Sequence, residues 1–294
     1  MKTKGYFFAV VSAATYGLIP LFILPVKLEK FSIDVTLFYR FLIAAAFVLG
    51  ILIYKKEQIK INKIELSLFS LLGILFALSS EFLFLAYDYL SAGIASTILF
   101  VYPVLVALIM AFFYGEKIGR LTMISLCVVL TGIYILSIKQ NALDINYTGL
   151  FIALLSALCY AVYIVKINTT KIKASGFKIT FYSLLFSSSY YLVKALALKQ
   201  SLVLPSSKML LNITLFAFIT SVISILSLVF AIKKIGSTSA SIMGALEPVV
   251  AVGISVVLFS EHLTWKLSIG IVFILLGVVI NIIADSRQAK KLNE

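Results

Sequence analysis

The feature that most limits what this chain can fold into is a succession of ten apolar stretches, each long enough to cross a lipid bilayer. A helix needs about 20 mostly apolar residues to span a hydrocarbon core about 30 Å thick. Such stretches run near 5–26, 34–54, 65–87, 91–114, 119–138, 147–166, 179–199, 209–232, 236–259 and 265–284. The linkers between them, the longest being 55–64 and 167–178, are too short for a soluble domain. Charged residues make up only 13% of the chain and hydrophobic ones 62%, which excludes a soluble enzyme, a nucleic-acid module and a disordered scaffold. A β-barrel would alternate apolar and polar residues, whereas runs such as Ile269–Ile280 are apolar on every side. The expected fold class is therefore an all-α membrane protein. Lys2 and Lys4 before the first stretch give it a signal-peptide flavour, but its length and its later recurrence favour a retained helix.

The formal net charge of +13 is not spread evenly over the linkers. With the N-terminus inside, Lys55, Lys56, Lys60 and Lys63, then Lys166, Lys171, Lys173 and Lys178, fall on the inner face, as do Lys233, Lys234, Arg287, Lys290 and Lys291. The outer face holds only Lys27, Lys30, Lys139, Lys194, Lys199, Lys208 and Lys266. Cytoplasmic loops carry such an excess, so both termini are expected in the cytoplasm of a cell (plasma or inner) membrane. The basic charge suits an anionic leaflet, and membrane lipid rather than nucleic acid is the expected partner. Cys127 and Cys159 lie in apolar stretches without a neighbouring Cys or His, and are expected to be buried small residues.

The chain also repeats itself. Gly5, Phe7, Ala9, Ser12, Ala13 and Tyr16 recur as Gly149, Phe151, Ala153, Ser156, Ala157 and Tyr160, at an offset of about 145 residues. Pro103 and Glu116 recur with the same spacing as Pro248 and Glu261, while Ala86, Ala95 and Gly132 match Ala231, Ala240 and Gly277. The units are 1–140 and 145–288, followed by a short cytoplasmic tail, 289–294. Each holds five spans. Five is odd, so the second copy enters the membrane from the opposite face, giving ten transmembrane helices as two inverted five-helix repeats. Two similar halves facing opposite ways support two near-equivalent packings, one open to each side.

These residues resemble the drug/metabolite transporter superfamily, EamA type: the Ser-Ala-x-x-Tyr first helix, the paired Pro-to-Glu spacing and the glycine-containing span that follows. The resemblance implies a secondary active or facilitative carrier, often an exporter of amino acids or drugs. It also implies a central cavity lined by spans one, three and four with spans six, eight and nine. In the second copy His262 follows the glutamate where the first has Lys117, and Glu247 stands where the first has Tyr102.

Ionisable groups at membrane depth are costly and mark function or pairing. Glu247, beside Pro248, is the strongest binding or coupling candidate, for a cationic group or a proton; the alternative is a protonated acid bonded to a serine across a helix interface. Pro103 and Pro248 are expected as hinges, each breaking its span and freeing a carbonyl one turn earlier. Arg40 and Glu81 both lie roughly 9 Å below the outer surface, counting about 1.5 Å per residue, and are read either as an ion pair or as substrate or gating groups. Tyr16, Tyr102, Tyr160 and Tyr163, with Ser12 and Ser156 one turn before the paired tyrosines, supply rings and hydroxyls for a small amphipathic substrate, or packing alone. Ala92-Ser96 and Ser237-Ser241-Ala245 have small-residue interface spacing. Glu116 and Glu261 sit at span ends, and His262 is too isolated for a metal site. No phosphate loop, zinc motif or nucleophile elbow occurs, so no enzyme activity, cofactor or metal is expected; the alternatives to a metabolite exporter are proton-coupled efflux of cationic or aromatic drugs and a lipid-handling flippase or enzyme, for which Arg40 gives some footing.

Overall fold

The computed structural model describes residues 2–90, 95, 98–137, 146–203, 206–258 and 264–291. Among the described residues the chain is helical and contains no strand. The first repeat contributes α1 (Lys2–Tyr16), α2 (Ile19–Leu28), α3 (Ile33–Tyr54), α4 (Lys63–Ala86), α5 (Tyr102–Tyr114) and α6 (Arg120–Ser137). The second contributes α7 (Tyr147–Thr169), α8 (Gly176–Ala197), α9 (Ser207–Ala217), α10 (Ser224–Met243), α11 (Leu246–Leu258) and α12 (Trp265–Lys291), with a π-helical turn at Phe218–Ile223 joining α9 to α10. Ala92, Ser96, Glu261 and His262 lie outside the described residues.

Local chemistry fixes where the helices start. Asn62 and Glu65 form a capping box at α4, each side chain accepting the other's backbone N–H at 2.8 and 3.1 Å. Asn146 caps α7, and Ser175 and Ser206 cap α8 and α9, each accepting N–H donors that the first turn leaves without partners. Pro103 and Pro248 do not break a helix from within, as the sequence alone suggested. Each lies in the first turn of its helix, α5 and α11, where proline's missing N–H forfeits nothing. The interruption precedes them: a turn at 100–101 in one copy and at Gly244–Ala245 in the other. The Gly244 carbonyl is not freed, since it accepts from the Glu247 N–H at 2.9 Å. A further break lies within α10 at Gly236 (φ 81°, ψ 168°), a conformation open to residues without a Cβ.

The helices pair as an inverted repeat requires. First-repeat α1 packs along α10, and its second-repeat equivalent α7 packs along α4. On the pseudo-axis, α3 lies against its own counterpart α8, and α6 against α12. Atomic contacts repeat too. Ser224 Oγ donates to the Ser12 carbonyl at 3.0 Å, and Ser156 Oγ donates to the Ser79 carbonyl at 2.6 Å. A Cβ added at Gly132 would meet Gly270 O and Ile274 at 2.8 Å; one at Gly277 would meet Val129 Cγ2 at 2.5 Å and Ser125 O at 3.1 Å.

Outward surfaces are apolar, as lipid demands: Phe112 and Phe113 are each 80% exposed. Five helical runs are long and apolar enough to cross a membrane unaided: Lys2–Ile23, Ile33–Tyr54, Lys63–Ala86, Tyr147–Thr169 and Ser207–Met243. Tyr102–Tyr114, Arg120–Ile135 and Ser268–Ala284 are shorter apolar helices. Cys127 is exposed on this outer surface and Cys159 is half-buried, so the expectation that both are buried is corrected. Lipid is an acceptable neighbour for a thiol that water would not favour.

Valine at either Gly132 or Gly277 should destabilise the bundle by about 1–3 kcal/mol, the usual cost of overpacking. Valine at Gly50, where an added Cβ meets nothing within 4 Å, should leave it nearly unchanged. Thermal unfolding of the detergent-solubilised chain measures all three, and a large loss at only one of the paired glycines contradicts the symmetric seam.

Candidate functional site

The broken spans converge on a cluster of aromatic and ionisable side chains. Tyr16 ends α1, and the next residue, Gly17, packs so closely on the Glu247 carbonyl that an added Cβ would lie 2.7 Å from it. Glu247 is therefore set beside the C-terminal end of α1. It is half-buried, and among the described residues its carboxyl group has no hydrogen-bond or ion-pair partner. Tyr16, Tyr102 and Tyr160 are its electrostatic neighbours. No serine bond across an interface accounts for this acid.

A ladder of rings extends away from it. Tyr102 meets Tyr160 edge-on at 4.7 Å, Tyr160 lies parallel to Tyr163 at 6.2 Å, and Tyr163 packs on Phe76 at 5.3 Å. Phe41 continues the line at 5.5 Å from Phe76. The Tyr102 hydroxyl donates to the Ser241 carbonyl at 3.2 Å and fills the space left by the missing side chain of Gly244. The Tyr163 hydroxyl is fully buried, with Ser183 as its polar neighbour.

Arg40 and Glu81 are not partners. The Arg40 Nε donates to Ser221 Oγ at 2.8 Å, and Nη2 to the Thr220 carbonyl at 3.3 Å. Both acceptors belong to the π-helical turn, whose wider winding presents a hydroxyl and a carbonyl to one side chain. The guanidinium lies over Phe216 at 4.2 Å and is only 3% exposed, so it does not snorkel to the surface. Glu81 instead accepts from Lys194 at 2.5 Å, and the same ammonium donates to Asp34 at 2.8 Å. Their helices turn the two side chains to different neighbours.

Ser12 and Ser156 are also withdrawn from any cavity. Both are buried, with their hydroxyls engaged against Ser224 and Ser79. Ser237, Ser241 and Ala245 are buried as interface spacing predicts. The structure thus brings Tyr16, Arg40, Glu247, Tyr102, Tyr160 and Tyr163 together, and leaves Glu81, Ser12 and Ser156 in the framework. Sequence reasoning missed Phe76, Phe216, Ser221, Asp34 and Lys194. The hydroxyl-rich run Thr220-Ser221 within an apolar stretch was the available signal for the Arg40 contacts.

A polar pocket of about 610 Å³ lies apart from this cluster, at the rim of the bundle, lined by Glu57, Lys60, Glu65, Lys173 and Lys178 among others. Around it the two repeats are latched: Lys178 bonds Glu65 at 2.9 Å and the Lys60 carbonyl at 2.8 Å, and Ser175 bonds Glu57. Among the described residues no group of His, Cys, Asp and Glu could hold a metal ion.

The model of the EamA-like transporter family matches the chain twice, over residues 3–138 and 147–283. The chain belongs to that family. It is also similar to an uncharacterized transporter of Clostridium kluyveri, 24% identical over 304 aligned positions that cover 97% of this chain and 94% of that protein. A solved crystal structure shares the fold at a TM-score of 0.86 with 14% identity, covering 98% of this chain and 99% of that one.

Removal of Lys194 leaves two carboxylates facing each other, so Lys194→Met should cost on the order of 1–2 kcal/mol, more than Glu81→Gln. Adding Glu81→Gln to Lys194→Met should restore part of the loss. Thermal unfolding of the three variants tests the triad, and a double variant no more stable than Lys194→Met rejects it.

Proposed function

We propose that this member of the EamA-like transporter family exports amino acids or related small metabolites across a cell membrane by alternating access, with both termini in the cytoplasm. The observation that carries the reading is Glu247: an acid without a protein partner, at the point where a span is interrupted, between two halves whose contacts repeat under inversion. Interrupted helices at membrane depth place binding groups where the repeats meet. A carboxyl group there binds a cationic moiety of the solute or carries a proton through the cycle. The partners proposed are a small solute, membrane lipid and a proton, with no nucleic acid. Membership of a transporter family agrees with a chain that is not an enzyme.

A second reading, proton-coupled efflux of aromatic cations, draws on the same acid and on the rings of Tyr102, Tyr160 and Tyr163. The buried cation Arg40, close to Tyr16, weighs against a solute that is only cationic.

Sealed vesicles containing the purified chain should take up labelled amino acid down its gradient, and an imposed pH gradient should change the rate. In Glu247→Gln that response to pH should disappear. Uptake equal to that of empty vesicles rejects carriage of these solutes, and an unchanged pH response in the variant removes Glu247 from coupling.

A further inference from the structure

Arg40 and Glu247, buried and half-buried, have no ion-pair partner among the described residues; they are opposite in sign and share a neighbour. A guanidinium has five N–H donors in a planar fork. Within the protein, two of the Arg40 nitrogens bond the π-helical turn, through Ser221 and Thr220, and no carboxylate answers the charge among the described residues. Glu81, the partner that residue counting offered, is engaged by Lys194. Aromatic faces surround the guanidinium instead, with Phe216 at 4.2 Å, Phe41 at 5.2 Å and Tyr16 at 5.7 Å. These hold the plane of the fork in place but do not neutralise it.

Glu247, itself without a protein partner among the described residues, is a second neighbour of Tyr16, whose next residue, Gly17, packs on the Glu247 carbonyl. The two residues do not form an ion pair, yet both are electrostatic neighbours of the same phenol. Keeping two opposite charges unpaired in lipid is expensive, and a ligand that brings the complementary charges removes both costs together. Arginine rather than lysine suits the anionic end, since its fork matches a carboxylate with two parallel hydrogen bonds. The ring ladder from Tyr160 through Tyr163 to Phe76 begins beside Glu247 and offers an apolar wall.

We propose that Arg40 and Glu247 are the two poles of one binding site for a zwitterion, the carboxylate of the solute lying on Arg40 and its ammonium group on Glu247, beside Tyr16. The inference rests on the transport reading and narrows it. A solute bearing only one of the two charges leaves the opposite pole unanswered and binds less tightly. Arg40 contacts the solute directly in this arrangement, and Ser221 positions its fork.

The test compares three probes on the full purified chain in mildly acidic buffer: L-phenylalanine, its amide, which keeps only the cation, and N-acetyl-L-phenylalanine, which keeps only the anion. Apparent affinity is read from the concentration dependence of thermal stabilisation. The wild-type chain should favour the zwitterion by about tenfold over either blocked form. Arg40→Gln should make phenylalanine and its amide equal, and Glu247→Gln should make phenylalanine and the acetylated form equal. Where Arg40→Gln does not fold, Arg40→Lys should narrow the same preference. Wild-type protein that binds none of the probes, or ranks a blocked form with the zwitterion, overturns the proposal, as do variants that weaken all three equally. The ranking holding in a chain that moves no solute in vesicles rejects the transport reading alone. Solute movement without the ranking rejects the zwitterion site alone.

Discussion

Lipid offers helices no hydrophobic reason to associate, so this bundle depends on close seams and on polar groups that find partners inside it. The Ser12–Ser224 and Ser79–Ser156 contacts are where that constraint is met most directly. Each lets a hydroxyl on one helix answer a carbonyl on another, and each joins the first repeat to the second. Similar bonds join the repeats elsewhere, from Ser187 to the Gly73 carbonyl at 2.8 Å and, on the pseudo-axis, from Ser125 to the Gly277 carbonyl at 2.8 Å. Because α8 contributes to the axis pair and to the charged contacts at both its ends, through Lys178 and Lys194, it acts as the spine against which α3 and α4 are set.

Around that framework the polar inventory divides cleanly. Ser125, Ser156, Ser187 and Ser224 in the seams are bonded to backbone carbonyls, and ion pairs sit near the helix ends, where partial exposure makes them tolerable. The deep charges, Arg40 and Glu247, are the exceptions. A structural role for them would predict protein partners of opposite charge, and neither has one among the described residues. Lys194, which holds two carboxylates, stands in contrast to the two charges proposed for the site.

Much of the architecture was legible in the chain because span length and repetition are one-dimensional properties. The apolar stretches and the matched Ser-Ala-x-x-Tyr segments give number, order and inversion without any knowledge of packing. Glu247 and the tyrosines were legible because an acid in an apolar run, and a ring at equivalent positions of two copies, stand out against the background. What failed was azimuth. Depth follows from counting residues, but the direction a side chain takes around its helix depends on crossing angles that a sequence does not print. Arg40 and Glu81 therefore looked like a pair, Lys194 looked like an ordinary outer-face lysine, and Ser12 and Ser156 looked available to a solute. The prolines misled for a related reason: a residue that interrupts a helix and one that begins a helix leave the same mark in the text.

The duplication is faithful in backbone and in seams, yet at one crucial position the copies disagree: Tyr102 in the first repeat corresponds to Glu247 in the second. Exchange of the two halves' conformations would swap the surroundings of these side chains, placing a carboxyl group where a phenol had been. The end states of such a cycle would thus be unequal in energy even if their folds were related by the pseudo-two-fold axis. A carrier assembled from twins would take a resting preference from a single dissimilar pair of side chains, while the gradients across the membrane would still set the direction of net movement.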